Sequence, residues 1–182
     1  MTTREKLIQT TANLVSKHGY FGTGITEILE KTKVPKGSMY HHFPKGKDQL
    51  IIASIDYSGS IMQEKYKNAL RSKGALDGLC AIINVLIEEM ERSDFQHGCP
   101  IATVALDVSA HNEEIRKVCQ QIYIDWQEGL SQYLSSREVS NAMEKSKLFF
   151  TMIEGAFILS KAQRDLSFLE IQKNYLENIL KT

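Results

Sequence analysis

Apolar residues recur at helical spacing along almost the whole chain, the pattern of one buried helix face after another. Ile8, Ala12 and Val15 form such a stripe behind Thr2-x-x-Glu5, which has the form of a capping box, so a first helix opens there. Gly19 and Gly22 punctuate it, and Ile25, Ile28 and Leu29 mark a short second helix. Val34-Pro35 interrupts the chain where proline suits the first turn of a new helix. That third helix is brief, about Lys36 to Phe43, and ends at Pro44 and Gly46.

A long fourth helix is predicted from Lys47 to about Arg71, closed by Lys73-Gly74. The next carries the stripe Leu76, Cys80, Ile83, Ile87 and Met90. His97-Gly98-Cys99-Pro100 is a loop leading to a short apolar helix through Val108. Ile115, Val118, Ile122, Trp126, Leu130 and Tyr133 share one face of a helix over about 112–135. The last two helices are predicted at about 138–164 and 168–180, the latter behind Ser167-x-x-Glu170, a second capping box. No segment alternates like a strand with hairpin turns, so the fold class is all-α.

Composition narrows the picture. No apolar run approaches the ~18 residues that span a membrane, and the first residues lack a signal-peptide core, so the cytoplasm is expected. Cys80, Cys99 and Cys119 show no CxxC or Cys/His spacing; neither a disulfide framework nor a zinc site is expected, and no cofactor. Net charge is zero, but residues 1–50 carry eight Lys and Arg against four Asp and Glu, a net +4 that the rest of the chain balances. A basic front on an acidic body suggests a polyanion partner at one end.

The chemistry concentrates between Ile25 and Leu50. Two short helices joined by a tight turn and packed on a first helix form a helix-turn-helix, whose second member enters the major groove. Met39 and Phe43 are four apart and face the core, which turns Lys36, Gly37, Tyr40 and His41 the other way. That face offers a cation, a close approach of backbone, a phenol and an imidazole, groups suited to phosphates and base edges. His42 falls nearer the core side. Lys47 starts the next helix, where its ammonium and the first amides could jointly hold one phosphate. Without its flanks, such a face would be ordinary surface. His41 and His42 are adjacent, hence about 100° apart on a helix, and make no metal site.

Val34-Pro35-Lys36-Gly37-Ser38-Met39-Tyr40-His41-His42-Phe43 closely resembles the recognition-helix signature of the TetR (tetracycline-repressor) family, and Gly24-Ile25-Thr26-Glu27-Ile28-Leu29 fits its second helix. The turn Pro44-Lys45-Gly46-Lys47-Asp48 is one residue longer than in most relatives. With Gly98-Cys99-Pro100-Ile101-Ala102 and Val104-Ala105-Leu106-Asp107, it is similar to the LmrA/YxaF-like branch.

The resemblance implies a helix-turn-helix domain over residues 1–50 and a helical ligand-binding and dimerisation domain over 51–182. It implies a homodimer on palindromic double-stranded operator DNA, released when a small apolar or aromatic inducer binds the C-terminal body, and control of an efflux or detoxification gene. Thr26, Lys36, Gly37, Ser38, Tyr40, His41, His42 and Lys47 match its DNA-contacting positions. Met90, Cys99, Ile101, Tyr123, Trp126, Phe149 and Met152 are the candidate ligand-binding residues, with plain core packing as the alternative for each. Leu148, Met152, Gly155, Ala156 and Leu159, then Ile171, Tyr175, Leu176 and Ile179, would supply the dimer faces of the last two helices.

Two other classes compete. An enzyme would need a site, and the chain holds no HExxH, GxSxG, phosphate-binding P-loop or dinucleotide fingerprint, so no catalytic residue is expected. A helical protein-interaction module would use the same helices without touching DNA.

Overall fold

Helices form where the stripes place them. The computed structural model describes residues 1–71 and 73–181. In chain order the helices are α1 (Thr3–Gly22), α2 (Ile25–Thr32), α3 (Lys36–His42), α4 (Lys47–Leu70), α5 (Ala75–Arg92), α6 (Pro100–Val108), α7 (Glu113–Ser135), α8 (Ala142–Gln163), α9 (Ser167–Lys173) and α10 (Leu176–Lys181). No strand occurs among the described residues. None of their helices is long and apolar enough to cross a membrane.

The expected cap of α1 is present. Thr2 Oγ1 accepts from the Glu5 amide, and the Glu5 carboxylate accepts from the Thr2 amide, so two of the four orphan donors of the first turn are satisfied. The second expected capping box does not form. Ser167 turns to Asp165, to which it donates through both its amide (2.9 Å) and its hydroxyl (2.7 Å). Asp165 acts as a local turn acceptor, and the Glu170 amide that the box needs donates instead to the Leu166 carbonyl at 3.0 Å.

Two helix bounds also differ from expectation. Glu138 and Asn141 adopt left-handed backbone (φ 60° and 50°), which holds the start of α8 back to Ala142. The single helix expected over 168–180 is two, α9 and α10. The amides of Asn174 and Tyr175 bond three residues back, to Ile171 and Gln172, and this tight turn interrupts the helix.

The chain forms two compact units. The first comprises residues 1–61 and 99–122, and the second 62–98 and 123–182. The helix-turn-helix therefore shares its unit with α6 and the first part of α7, while α4 continues past residue 50 without a break.

In the first unit, Leu7, Ile8 and Leu14 of α1 pack with Ile28 of α2, Val34, Met39 and Phe43 around α3, and Leu50 of α4. α1 also packs along α6. At Gly19 α1 leaves helical geometry (φ 70°, ψ −171°) before resuming to Gly22. In the second unit α5 packs on α8, α9 and α10. Trp126 stacks on Phe150 at 6.1 Å and meets the edge of Tyr66 at 5.6 Å. Lys145 of α8 is buried there, its ammonium donating to the Leu180 carbonyl (2.9 Å) and to Ser140 Oγ (3.3 Å).

Candidate nucleic-acid interface

The turn between α2 and α3 is built locally. Lys33 takes left-handed backbone (φ 55°) and ends α2, and Pro35 precedes α3 as its cap residue (φ −60°, ψ 143°). Proline thus stands one position earlier than the first helical turn. Its fixed φ suits the cap, which needs no N–H there. Thr32 Oγ1 donates to the Ile28 carbonyl at 2.7 Å, satisfying that hydroxyl inside the turn.

α3 is oriented by its core face. Met39 is fully buried and Phe43 is 1 % exposed. On the other side Lys36, Gly37, Tyr40 and His41 are exposed, Tyr40 by 38 %. Ser38 and His42 are half-buried, so His42 lies between the two faces, its ring meeting that of His41 at 5.4 Å. Nothing lies within 4 Å of the position a Cβ would occupy on Gly37. The chain's own packing therefore gives no reason for a glycine inside this helix. Thr26, the second residue of α2, is exposed. Gly46 closes the turn into α4 with left-handed backbone (φ 75°).

Lys47, the candidate phosphate ligand, is half-buried at the start of α4. Its Nζ donates to the Tyr20 carbonyl at 2.7 Å and lies 4.2 Å from the centroid of the Tyr20 ring. Burial pushes its pKa down, against the pull of Asp48 and Asp107. Exposed cations near α3 include Lys33, Lys36, Lys45 and Arg4, with Lys45 3.7 Å from Glu114 and the Arg4 guanidinium 5.4 Å from the Phe43 ring.

The candidate ligand-binding residues divide between the units. Cys99 and Ile101 belong to the first. Cys99 precedes α6, its Sγ accepting from the Ala102 amide at 3.5 Å, and Ile101 is fully buried. Met90, Tyr123, Trp126, Phe149 and Met152 belong to the second. There the structure brings Tyr123 and Trp126 together edge to face at 5.6 Å. Tyr123 donates its hydroxyl to Glu154 Oε1 at 3.1 Å. Met90 and Phe149 are buried and Met152 half-buried. Sequence reasoning missed Tyr66, Phe150 and Glu154 beside this group. Phe150 adjoins a predicted residue, whereas Glu154 reads as a solvated helix acid until its partner is seen.

No group of three or more His, Cys, Asp or Glu that could hold a metal ion occurs among the described residues. Burial pushes the Cys119 thiol up to about 11 and raises Cys80 as well.

Residues 7–53 match the family model described as "Bacterial regulatory proteins, tetR family", and residues 75–174 match "Transcriptional regulator LmrA/YxaF-like, C-terminal domain". The chain is 31% identical to the HTH-type transcriptional regulator LmrA of Bacillus subtilis, over 86% of this chain and 85% of that one. It is 27% identical to the transcriptional regulator YxaF of the same organism, over 89% of this chain and 86% of the relative. Among solved structures, a TetR transcriptional regulator from Chloroflexus aurantiacus is 25% identical with a TM-score of 0.82, covering 99% of this chain and 94% of its own. The reduced form of Escherichia coli NemR shares the fold at a TM-score of 0.89 and 24% identity, covering 98% and 96%.

Proposed function

The chain belongs to the TetR family of bacterial transcriptional regulators, in its LmrA/YxaF-like branch, and from that premise we propose that it is a homodimeric repressor of a palindromic operator, released by a small apolar or aromatic inducer. The observation that carries this reading is the split of α3. Met39 and Phe43 anchor it, and Lys36, Gly37, Tyr40 and His41 stand on its open side with Ser38 and His42 at the flanks. Thr26 stands exposed at the start of α2, where a phosphate would pass. Lys47 supports the surface from within, by its bond to Tyr20. The functional boundary is residue 50, where the reading head ends within α4 and the sensing and dimerising part begins.

Exposed apolar residues on α8 and α9 support the dimer. Leu148, Gly155 and Leu159 recur at helical spacing on α8, and Ile171 and Tyr175 stand four apart at and just beyond α9. Ala156 and Leu176, expected on the same faces, are buried within the subunit instead. A dimer would set two reading heads on half-sites ~34–36 Å apart, giving selectivity that one short helix lacks. The aromatic group around Trp126 supports an aromatic inducer. Control of an efflux or detoxification gene rests on the family resemblance alone.

A mobility-shift titration with duplexes selected from a random pool, at several salt concentrations, tests the reading. Sequence-selective binding that weakens with salt is expected. Lys36→Ala should weaken it and lower the salt slope by about 1, and Tyr40→Ala should relax sequence selectivity. A folded, dimeric chain that selects no duplex would favour an interaction module over an operator-binding repressor.

A further inference from the structure

Tyr20 is held by two other helices at once, and none of those bonds involves the exposed face of α3. Its amide donates to Asp107 Oδ2 on α6 at 2.7 Å. Its carbonyl accepts from Lys47 Nζ on α4 at 2.7 Å. Its phenol donates to Asp48 Oδ1, also on α4, at 2.6 Å. The other oxygen of Asp48 accepts from Asn112 Nδ2 at 3.0 Å, and Asn112 in turn caps α7 by accepting from the Ile115 amide at 3.0 Å.

The amide is available to Asp107 because the backbone leaves the helix at Gly19. A Cβ at that position would come within 2.4 Å of Asp107 Oδ2, so glycine admits the carboxylate. Tyr20, Lys47, Asp48, Asp107 and Asn112 are all half-buried, where charge-assisted hydrogen bonds exceed their strength in water. The bonds span 87 residues to α6 and 64 from α4 to α7, so they tie together segments remote in sequence.

The start of α4 follows α3 directly through Gly46, and the end of α1 leads straight into α2. We propose that Asp107, Tyr20 and Asp48 are positioning residues for DNA recognition, fixing the end of α1 and the start of α4 to α6 and α7 so that α3 is presented to the duplex in one orientation. This rests on the operator-binding reading. A DNA contact is not claimed for any of the three. Two of them carry negative charge, and their field opposes a polyanion.

That opposition makes a decisive test. Asp107→Ala and Asp107→Asn remove the same charge, which by field alone tightens binding. Asn keeps an oxygen for the Tyr20 amide and Ala does not. Affinity for a duplex selected by the wild-type chain is measured at several salt concentrations, beside the thermal midpoint of each variant. Asp107→Ala is expected to bind about tenfold more weakly with an unchanged salt slope, and Asp107→Asn within about twofold of wild type or tighter. Tyr20→Phe, which loses only the bond to Asp48, is expected to bind several-fold more weakly with the chain fully folded.

Equal affinities of a folded Asp107→Ala and the wild type would overturn the proposal, as would equal losses in Asp107→Ala and Asp107→Asn. Should Asp107→Ala melt below the assay temperature, Tyr20→Phe decides, and wild-type affinity in that variant would overturn the role. A wild-type chain that selects no duplex would overturn the operator-binding reading itself, and this one with it.

Discussion

The bend at the end of α1 and the open side of α3 each turn on a glycine, and the surroundings of the two differ. At Gly19 the backbone is left-handed and a side chain would collide with Asp107 at 2.4 Å. The fold itself demands glycine there. At Gly37 the backbone is helical and the space beside it is open. A glycine inside a helix costs about 0.5–1 kcal/mol relative to alanine, and no contact within the chain offsets that. What the chain's packing leaves unexplained at Gly37, the proposed approach of a duplex would explain.

The largest effect should therefore come at the first glycine. Gly19→Ala is expected to destabilise the chain by roughly 2–4 kcal/mol, from the left-handed backbone and the crowding against Asp107. Thermal or urea denaturation reads this, and an unchanged midpoint would show that the bend relaxes freely. Next comes the apolar face of α8, another place that a single chain leaves unexplained. Leu159→Lys should shift the dimer towards monomer by about 2 kcal/mol or more, seen in sedimentation or light scattering, with each subunit still helical.

Gly37→Ala sharpens the contrast because its two effects have opposite signs. The fold should gain about 0.5–1 kcal/mol while affinity for the selected duplex falls, by up to about tenfold. A variant that gains stability and keeps its affinity would mean that α3 meets no backbone-close surface.

The smallest effect is a pH dependence at Tyr20. Burial first, then the hydrogen bond and charge of Asp48, raise its pKa to about 12. The folded chain thus holds this proton more tightly than an unfolded chain, whose phenol titrates near 10. The resulting stability is fully present below about pH 10 and is lost as pH climbs towards 12. In alkaline denaturation curves Tyr20→Phe should flatten that part of the decline.

How much could be read from the sequence follows the distance over which each feature is determined. The stripes of α1 to α8, the Thr2 cap and the burial of Met39 and Phe43 depend on residues within a few positions, and periodicity carries them. The cap at Ser167 failed at similarly short range because α9 starts one residue early, the Glu170 amide donating to the Leu166 carbonyl while the Ser167 hydroxyl turns to Asp165. Nothing beside Lys47 in sequence indicates that its ammonium bonds the Tyr20 carbonyl. The Asp107 bond was invisible for the same reason: 87 residues separate its partners. Ala156, assigned to the dimer face, turns inward because α8 carries apolar residues on more than one side and only packing chooses between them.

The buried Lys145 has a practical consequence for anyone redesigning the chain. Its ammonium sits in the interior because the Leu180 carbonyl and the Ser140 hydroxyl accept hydrogen bonds from it. Cutting the chain before Leu180 would remove that carbonyl and strand a cation in a dry place. Shortened versions should therefore be made together with Lys145→Met.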